Sequence, residues 1–233
     1  MKYHDLLKSI QYIKNGVLPD SGFLASLHQI PEKDLAGLNI SKDLKEFFTQ
    51  VGLPPKIQFI RNPDEEEEQD VPEVYFPLNR FSIRKIEESE YLSIGGWRIE
   101  DKISGEIREG DTCRVLKETY EGEYLIDINQ KDVWYANYFD LKQVGDSWYF
   151  MDTDLGLQFV NSSVEQFVLS IACWKSFYPQ LEKKYLEMNS DWTYILDHDE
   201  LYDPFKNTMQ TLDSRALEGE VDHWSFMCDL SLY

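Results

Sequence analysis

The chain has 233 residues, 42% of them hydrophobic and 14% aromatic, so it can bury a sizeable core without a disulfide or metal staple, which excludes a disordered acidic tail. Against 23 Lys and Arg stand 43 Asp and Glu, a formal charge of −20. That balance argues against a nucleic-acid or anionic membrane face and favours a cationic protein partner, which clustered carboxylates steer inward.

Three widely spaced cysteines, Cys113, Cys173 and Cys228, form neither a disulfide ladder nor a zinc knuckle. They fit a reduced, cytoplasmic protein. No apolar run approaches the roughly 20 residues of a membrane span, and the first residues open an amphipathic stretch instead of a signal peptide.

In chain order, Leu6, Leu7, Ile10 and Ile13 predict a short amphipathic helix stopped by Gly16 and Pro19. A stronger helix starts after the N-cap Ser41, carries Leu44, Phe47, Phe48 and Val51 on one face, and ends at Gly52 before Pro54 and Pro55. The acidic run Pro63 to Asp70 then reads as a solvated loop, because its like charges repel and gain nothing by burial.

From Tyr91 the period changes. Short strands are predicted over Tyr91 to Ile94, Thr112 to Leu116, Tyr124 to Ile128, Val133 to Tyr138 and Trp148 to Met151, an antiparallel meander with hairpin loops at Glu121-Gly122 and Gly145-Asp146. Ser162 and Glu165 have the spacing of a capping box. The helix behind them carries Val164, Phe167, Val168, Ile171 and Trp174 as an apolar stripe expected to face the sheet. Pro179 is expected to interrupt it, with another helical segment over Leu181 to Met188. Beyond Asp191 no clean period emerges, and Asp203-Pro204 reads as a break. No internal repeat or low-complexity linker calls for a second domain.

Few constellations suggest chemistry. Asp152-Thr153-Asp154-Leu155-Gly156 is similar to the opening of a calcium loop, but loop position twelve is Ser163 and the glycine comes one place early, so a turn is the better reading. Asp197-His198-Asp199-Glu200 gathers carboxylates round a histidine with no second histidine at ligand spacing and no nucleophile, which reads as a polar loop. His4, His28 and His223 are isolated. Ile94-Gly95-Gly96 lacks the lysine and spacing of a phosphate cradle, and no serine or cysteine has a nucleophile's neighbourhood. Most aromatics, including Trp134-Tyr135, Trp148-Tyr149-Phe150 and Trp174, are assigned to the core.

Three motifs nevertheless occur in a telling order: Phe47-Phe48-x-x-Val51-Gly52-Leu53-Pro54, then Tyr91-Leu92-x-Ile94-Gly95, then Phe159-Val160-Asn161-Ser162-Ser163-x-x-x-Phe167. Together they resemble the SUKH superfamily, and more narrowly its fourth subgroup of bacterial immunity proteins, in which a helix ends in Gly-Leu-Pro, a strand ends in Ile-Gly, and Val-Asn-Ser-Ser introduces the last core helix. The matched core runs from about Ser41 to Pro179 of one domain spanning 1–233, with an N-terminal extension over 1–40 and a C-terminal one over 180–233.

The resemblance implies an α+β fold in which helices pack on a bent antiparallel β-sheet, and a binder instead of an enzyme. Superfamily members neutralise toxins, often nucleases or deaminases, from neighbouring bacteria in polymorphic toxin systems. No catalytic residue, metal ligand or cofactor is carried over. Gly52, Leu53, Pro54, Gly95, Asn161, Ser162, Ser163 and Phe167 are carried over as structural positions.

Glu65, Glu66, Glu67, Glu68, Asp70, Asp197, Asp199 and Glu200 are the carboxylates assigned to attracting a basic, possibly nucleic-acid-targeting toxin domain. A carboxylate- or metal-dependent hydrolase using Asp152, Asp154 or Asp197 is one alternative. A non-catalytic scaffold or regulatory partner is the other. Oligomeric state is left open.

Overall fold

The computed structural model describes residues 3–11, 13, 15–58, 73–76, 81–98, 120–137, 141–144, 147–150, 156–189, 199–218 and 222–225. These fall into two compact units, one of residues 27–160 and one joining residues 1–26 to 161–233. The architecture is α+β.

Among the described residues the first unit carries nine strands: β1 (Lys56–Gln58), β2 (Glu73–Tyr75), β3 (Ser82–Ile86), β4 (Ser89–Arg98), β5 (Tyr120–Asp127), β6 (Val133–Asn137), β7 (Leu141–Val144), β8 (Ser147–Phe150) and β9 (Leu157–Asn161). They run in the order β7-β8-β3-β4-β5-β6-β9, and β2 joins the distal half of β4 and carries β1. The pairs β1–β2, β2–β4, β3–β4, β4–β5, β5–β6 and β7–β8 are antiparallel, whereas β3 and β8 meet in parallel at Ile86 opposite Trp148.

Register shifts between Ser93 and Gly95 and between Gly96 and Arg98 bend the sheet in mid-strand. Gly95 allows the bend, because a Cβ there would overlap the Tyr75 carbonyl oxygen and sit 2.8 Å from the Phe76 Cα. The expected strand end at Ile94-Gly95 is therefore a bulge, and β4 continues to Arg98.

Leu92, Ile94, Ile126 and Val133 are fully buried in this sheet, and a second cluster joins Ile86, Tyr91, Leu125 and Ala136 with Trp134 and Leu157 packed against it. The α-helix Lys42–Gln50 belongs to the same unit. Its N-cap Ser41 accepts the Leu44 N–H, its Leu44, Phe47 and Phe48 are buried, and the Phe48 ring lies 5.1 Å from Phe81, the residue before β3. Ser41 and Gly52 bound this helix as the sequence predicts.

Other expectations need correction. Glu121 and Gly122 lie inside β5, with Gly122 opposite Asn137, and the turn that follows is Ile128 to Asp132. A glycine is needed in the strand because a Cβ at position 122 would overlap the Tyr135 phenol. Predicted strands over Tyr124 to Ile128, Val133 to Tyr138 and Trp148 to Met151 correspond to β5, β6 and β8. Thr112 to Leu116, Gly145 and Asp146 lie outside the described residues.

The second unit is helical: α1 (Tyr3–Ile10), α2 (Ser21–Ala25), then, after α3 (Lys42–Gln50) of the first unit, α4 (Val164–Asn189) and α5 (Asp199–Leu212). α1 ends three residues before Ile13. α4 is buried on every side from Phe167 to Trp174, so the predicted stripe widens to include Leu169, Ala172 and Cys173.

Pro179 and Pro204 do not break their helices. Each removes one backbone donor at a cost of about 3 kcal/mol. That cost is offset by burial of Trp174, Phe177 and Leu181 on α4 and of Tyr202, Phe205, Met209 and Leu212 on α5, roughly 1.5–3 kcal/mol for each large side chain. Phe177 and Phe205 stack at 5.5 Å, and Trp174 meets Phe205 edge-on at the same distance. The spacing of Tyr202, Phe205, Met209 and Leu212 is the helical period that the proline hides in the sequence.

Candidate functional site

The motif residues hold three junctions. At the first, Gly52 adopts φ +93°, and a Cβ there would overlap the His28 carbonyl oxygen. Leu53 exchanges both backbone hydrogen bonds with His28, at 2.9 and 3.1 Å, so the chain leaving α3 is fastened to the segment before it. Leu53 and Pro54 are both buried. The two ring nitrogens of His28 are buried with no partner among the described residues, and desolvation lowers its pKa, which keeps the imidazole neutral.

The second junction is the Gly95 bulge. Beside it, on β3, β4 and β5, Arg84 donates to Glu123 through Nε at 3.1 Å and Nη2 at 3.0 Å, and the Ser93 hydroxyl donates to the same carboxylate at 2.9 Å. The Glu123 side chain is fully buried and that of Arg84 11% exposed. This bidentate pair was not legible in the sequence, because its members are far apart and the register alone aligns them.

The third junction is Asn161-Ser162-Ser163. The buried Asp213 accepts the Ser162 N–H at 2.6 Å, the Ser162 hydroxyl at 2.9 Å and the Asn161 amide at 3.1 Å. That removes the expected capping box. Ser163, not Ser162, caps α4 by accepting the Gln166 N–H at 3.3 Å, and the Gln166 side chain donates to the Leu212 carbonyl at 2.7 Å. Asn161 also donates to the Ser170 hydroxyl at 3.3 Å, and Phe167 is fully buried. α4 is followed by α5, so it is not the last helix of this chain.

Of the carboxylates assigned to partner attraction, Glu65, Glu66, Glu67, Glu68, Asp70 and Asp197 lie outside the described residues, as do Asp152, Asp154 and His198. Asp199 and Glu200 open α5 instead of sitting in a loop, a placement that their charge favours at a helix N-terminus.

The structure does show an acidic end of the sheet that the sequence reading missed. Exposed Glu87 and Glu88 form the β3–β4 turn, with Glu87 at φ +53°, and exposed Glu90 follows. The adjacent β5–β6 turn is closed by Asp127, whose Oδ1 accepts the N–H groups of Asn129 and Gln130 at 2.7 and 2.8 Å, and Lys131 there pairs with Asp43 of α3 at 3.0 Å. A two-residue gap between two β-rich runs was the available signal for the first turn.

Elsewhere, burial pushes the Cys173 thiol up to about 12 and the His223 imidazole down to about 3, so neither is poised as nucleophile or base near neutral pH. No group of three or more His, Cys, Asp or Glu side chains among the described residues is arranged to hold a metal. No helix among them is long and apolar enough to cross a membrane.

The SUKH-4 immunity protein family model matches residues 21–229, extending beyond the expected core at both ends. No curated protein and no solved structure matches the chain. With the Gly-Leu-Pro helix end, the Ile-Gly bulge and the Asn-Ser-Ser entry to α4 all within the match, the chain belongs to the SUKH-4 immunity protein family.

Proposed function

We propose that this protein is a non-catalytic binder that neutralises a cognate protein toxin by occluding a basic domain of it inside the cell that makes both. The family match over residues 21–229 carries this reading. The charge of −20 supports the choice of a cationic partner, since a toxin that acts on nucleic acid needs a basic cleft into which an acidic protein is drawn. Glu65 to Glu68, Asp70, Asp197, Asp199 and Glu200 supply long-range attraction in this proposal, and complementary packing supplies the slow release.

The test is co-expression with the toxin domain encoded beside this gene, scoring survival and co-purification at low and high salt. Rescue with a complex whose association rate falls about tenfold or more as salt is raised is the expected result. Replacing Glu65 to Glu68 with glutamine should slow association and leave the melting temperature unchanged. Cells that die despite full expression of both proteins, with nothing co-purifying, would refute the reading for that pair.

A further inference from the structure

Asn15-Gly16, in the turn after α1, is the one Asn-Gly pair in the sequence, and the fold itself calls for both residues. Asn15 stands at φ +60°, a left-handed conformation that asparagine tolerates better than most side chains. Gly16 is held close, since a Cβ there would overlap the Ile13 side chain and lie 2.8 Å from the Thr208 hydroxyl oxygen. Packing therefore sets an asparagine before a residue with no side chain, so that no Cβ shields the Gly16 nitrogen from the Asn15 amide.

Context sets Asn15 apart from other asparagines. It is exposed and lies outside helix and strand, where the peptide that joins it to Gly16 can rotate toward the side-chain amide. Asn39 and Asn207 are exposed too, but β-branched Ile40 and Thr208 follow them, and Asn207 is inside α5, where the helix fixes the peptide. Asn161 is fully buried and donates its amide to Asp213.

We propose that Asn15 is a site of spontaneous covalent modification, converting to aspartate and isoaspartate, and that the isoaspartyl form loosens α1. The Gly16 nitrogen gives up its proton and bonds to the Asn15 Cγ, and the bond from Cγ to the amide nitrogen breaks as ammonia leaves with that proton. Solvent water then opens the imide ring. Cleavage between Cγ and the ring nitrogen leaves aspartate, whereas cleavage between the main-chain carbonyl carbon and that nitrogen leaves isoaspartate, with Gly16 joined through the side chain and one carbon added to the backbone path.

The added carbon falls next to an anchor. Val17 is buried, and its N–H donates to the Thr208 hydroxyl of α5 at 2.6 Å. α1, with Leu6 buried, packs on α4 and α5 just upstream. A longer link between α1 and Val17 disturbs the close fit of Gly16 and frees α1 from both helices.

The full-length protein is incubated for weeks in neutral buffer, digested and read by mass spectrometry, with isoaspartate methyltransferase labelling to tell the two products apart. The peptide holding Asn15 should take on the mass of the acid and become the main methyl acceptor, ahead of those holding Asn39, Asn161 and Asn207. Amide exchange across α1 should quicken about tenfold or more in the isoaspartyl fraction. Asn15→Gly keeps the left-handed turn without the amide, so it should neither convert there nor lose protection on incubation. An Asn15 that stays unchanged in the folded chain would overturn the proposal, and so would conversion no faster there than at Asn39. Isoaspartate at position 15 with α1 as protected as before would overturn the loosening of α1.

Discussion

Asp213 accepts the backbone N–H of Ser162 at 2.6 Å and its hydroxyl at 2.9 Å, across 51 residues of sequence. One buried carboxylate thereby accepts both Ser162 donors and the Asn161 amide in the turn that leads from β9 into α4, while its own N–H bonds to the Met209 carbonyl at 2.7 Å at the end of α5. Charged acceptors of this kind make the stronger hydrogen bonds of a fold, because the alternative is several buried donors without partners.

Asp213→Ala should therefore cost about 3 kcal/mol, since the Asn161 amide and both Ser162 donors lose an acceptor together. Asp213→Asn, which retains an acceptor oxygen, should cost less. Urea denaturation measures both, and an alanine variant as stable as the parent would show that the junction is held by something else.

Two glycines with similar φ separate backbone strain from steric overlap. Gly37, at φ +83°, has nothing within 4 Å of a built Cβ, so Gly37→Ala should cost only about 1 kcal/mol. Gly52→Ala adds an overlap with the His28 carbonyl to the same strain and should cost about 3 kcal/mol or more. Equal losses in thermal unfolding would contradict the close approach of His28 to Gly52.

The Arg84–Glu123 pair gives a double-mutant cycle. Arg84→Met alone leaves a buried carboxylate and should destabilise by about 3–5 kcal/mol, while Arg84→Met with Glu123→Leu should recover most of that loss. Additive losses would mean that the two side chains act independently.

Acid sensitivity should trace to His223. Its folded-state pKa, lowered by burial from 6.5 to about 3, lies below its value in the unfolded chain, so unfolding takes up a proton between those limits. The contribution of a neutral His223 is complete above pH 6.5 and is lost progressively as pH falls toward 3. His223→Phe should flatten the fall in stability between pH 7 and pH 5, whatever its stability at pH 7. An unchanged slope in urea titrations would show that carboxylates alone govern that range.

Elements whose cause is local were legible in the sequence. Ser41, the apolar face of Leu44, Phe47 and Phe48, and Gly52 define α3, because a cap, a 3.6-residue period and a left-handed stop each act within one or two turns. The alternation of β5 and β6 was equally plain. α5 was not, since Pro204 masks a period that only the aromatic contacts of Phe205 with Trp174, Phe177 and Trp224 make worth keeping. The capping box at Ser162 and Glu165 was a sound local reading that a distant acceptor displaced.

The sequence by itself therefore determined the α+β composition, the boundaries of α3, the negative field and, through three ordered motifs, the family. Only the tertiary structure decided that Asp213 closes the turn before α4, that Arg84 meets Glu123, that two prolines stay inside helices and that Glu121-Gly122 lies within a strand. The physical reason is range. Propensity, capping and periodicity are set by neighbours along the chain, whereas register and burial are set by residues that become neighbours only when the chain has folded.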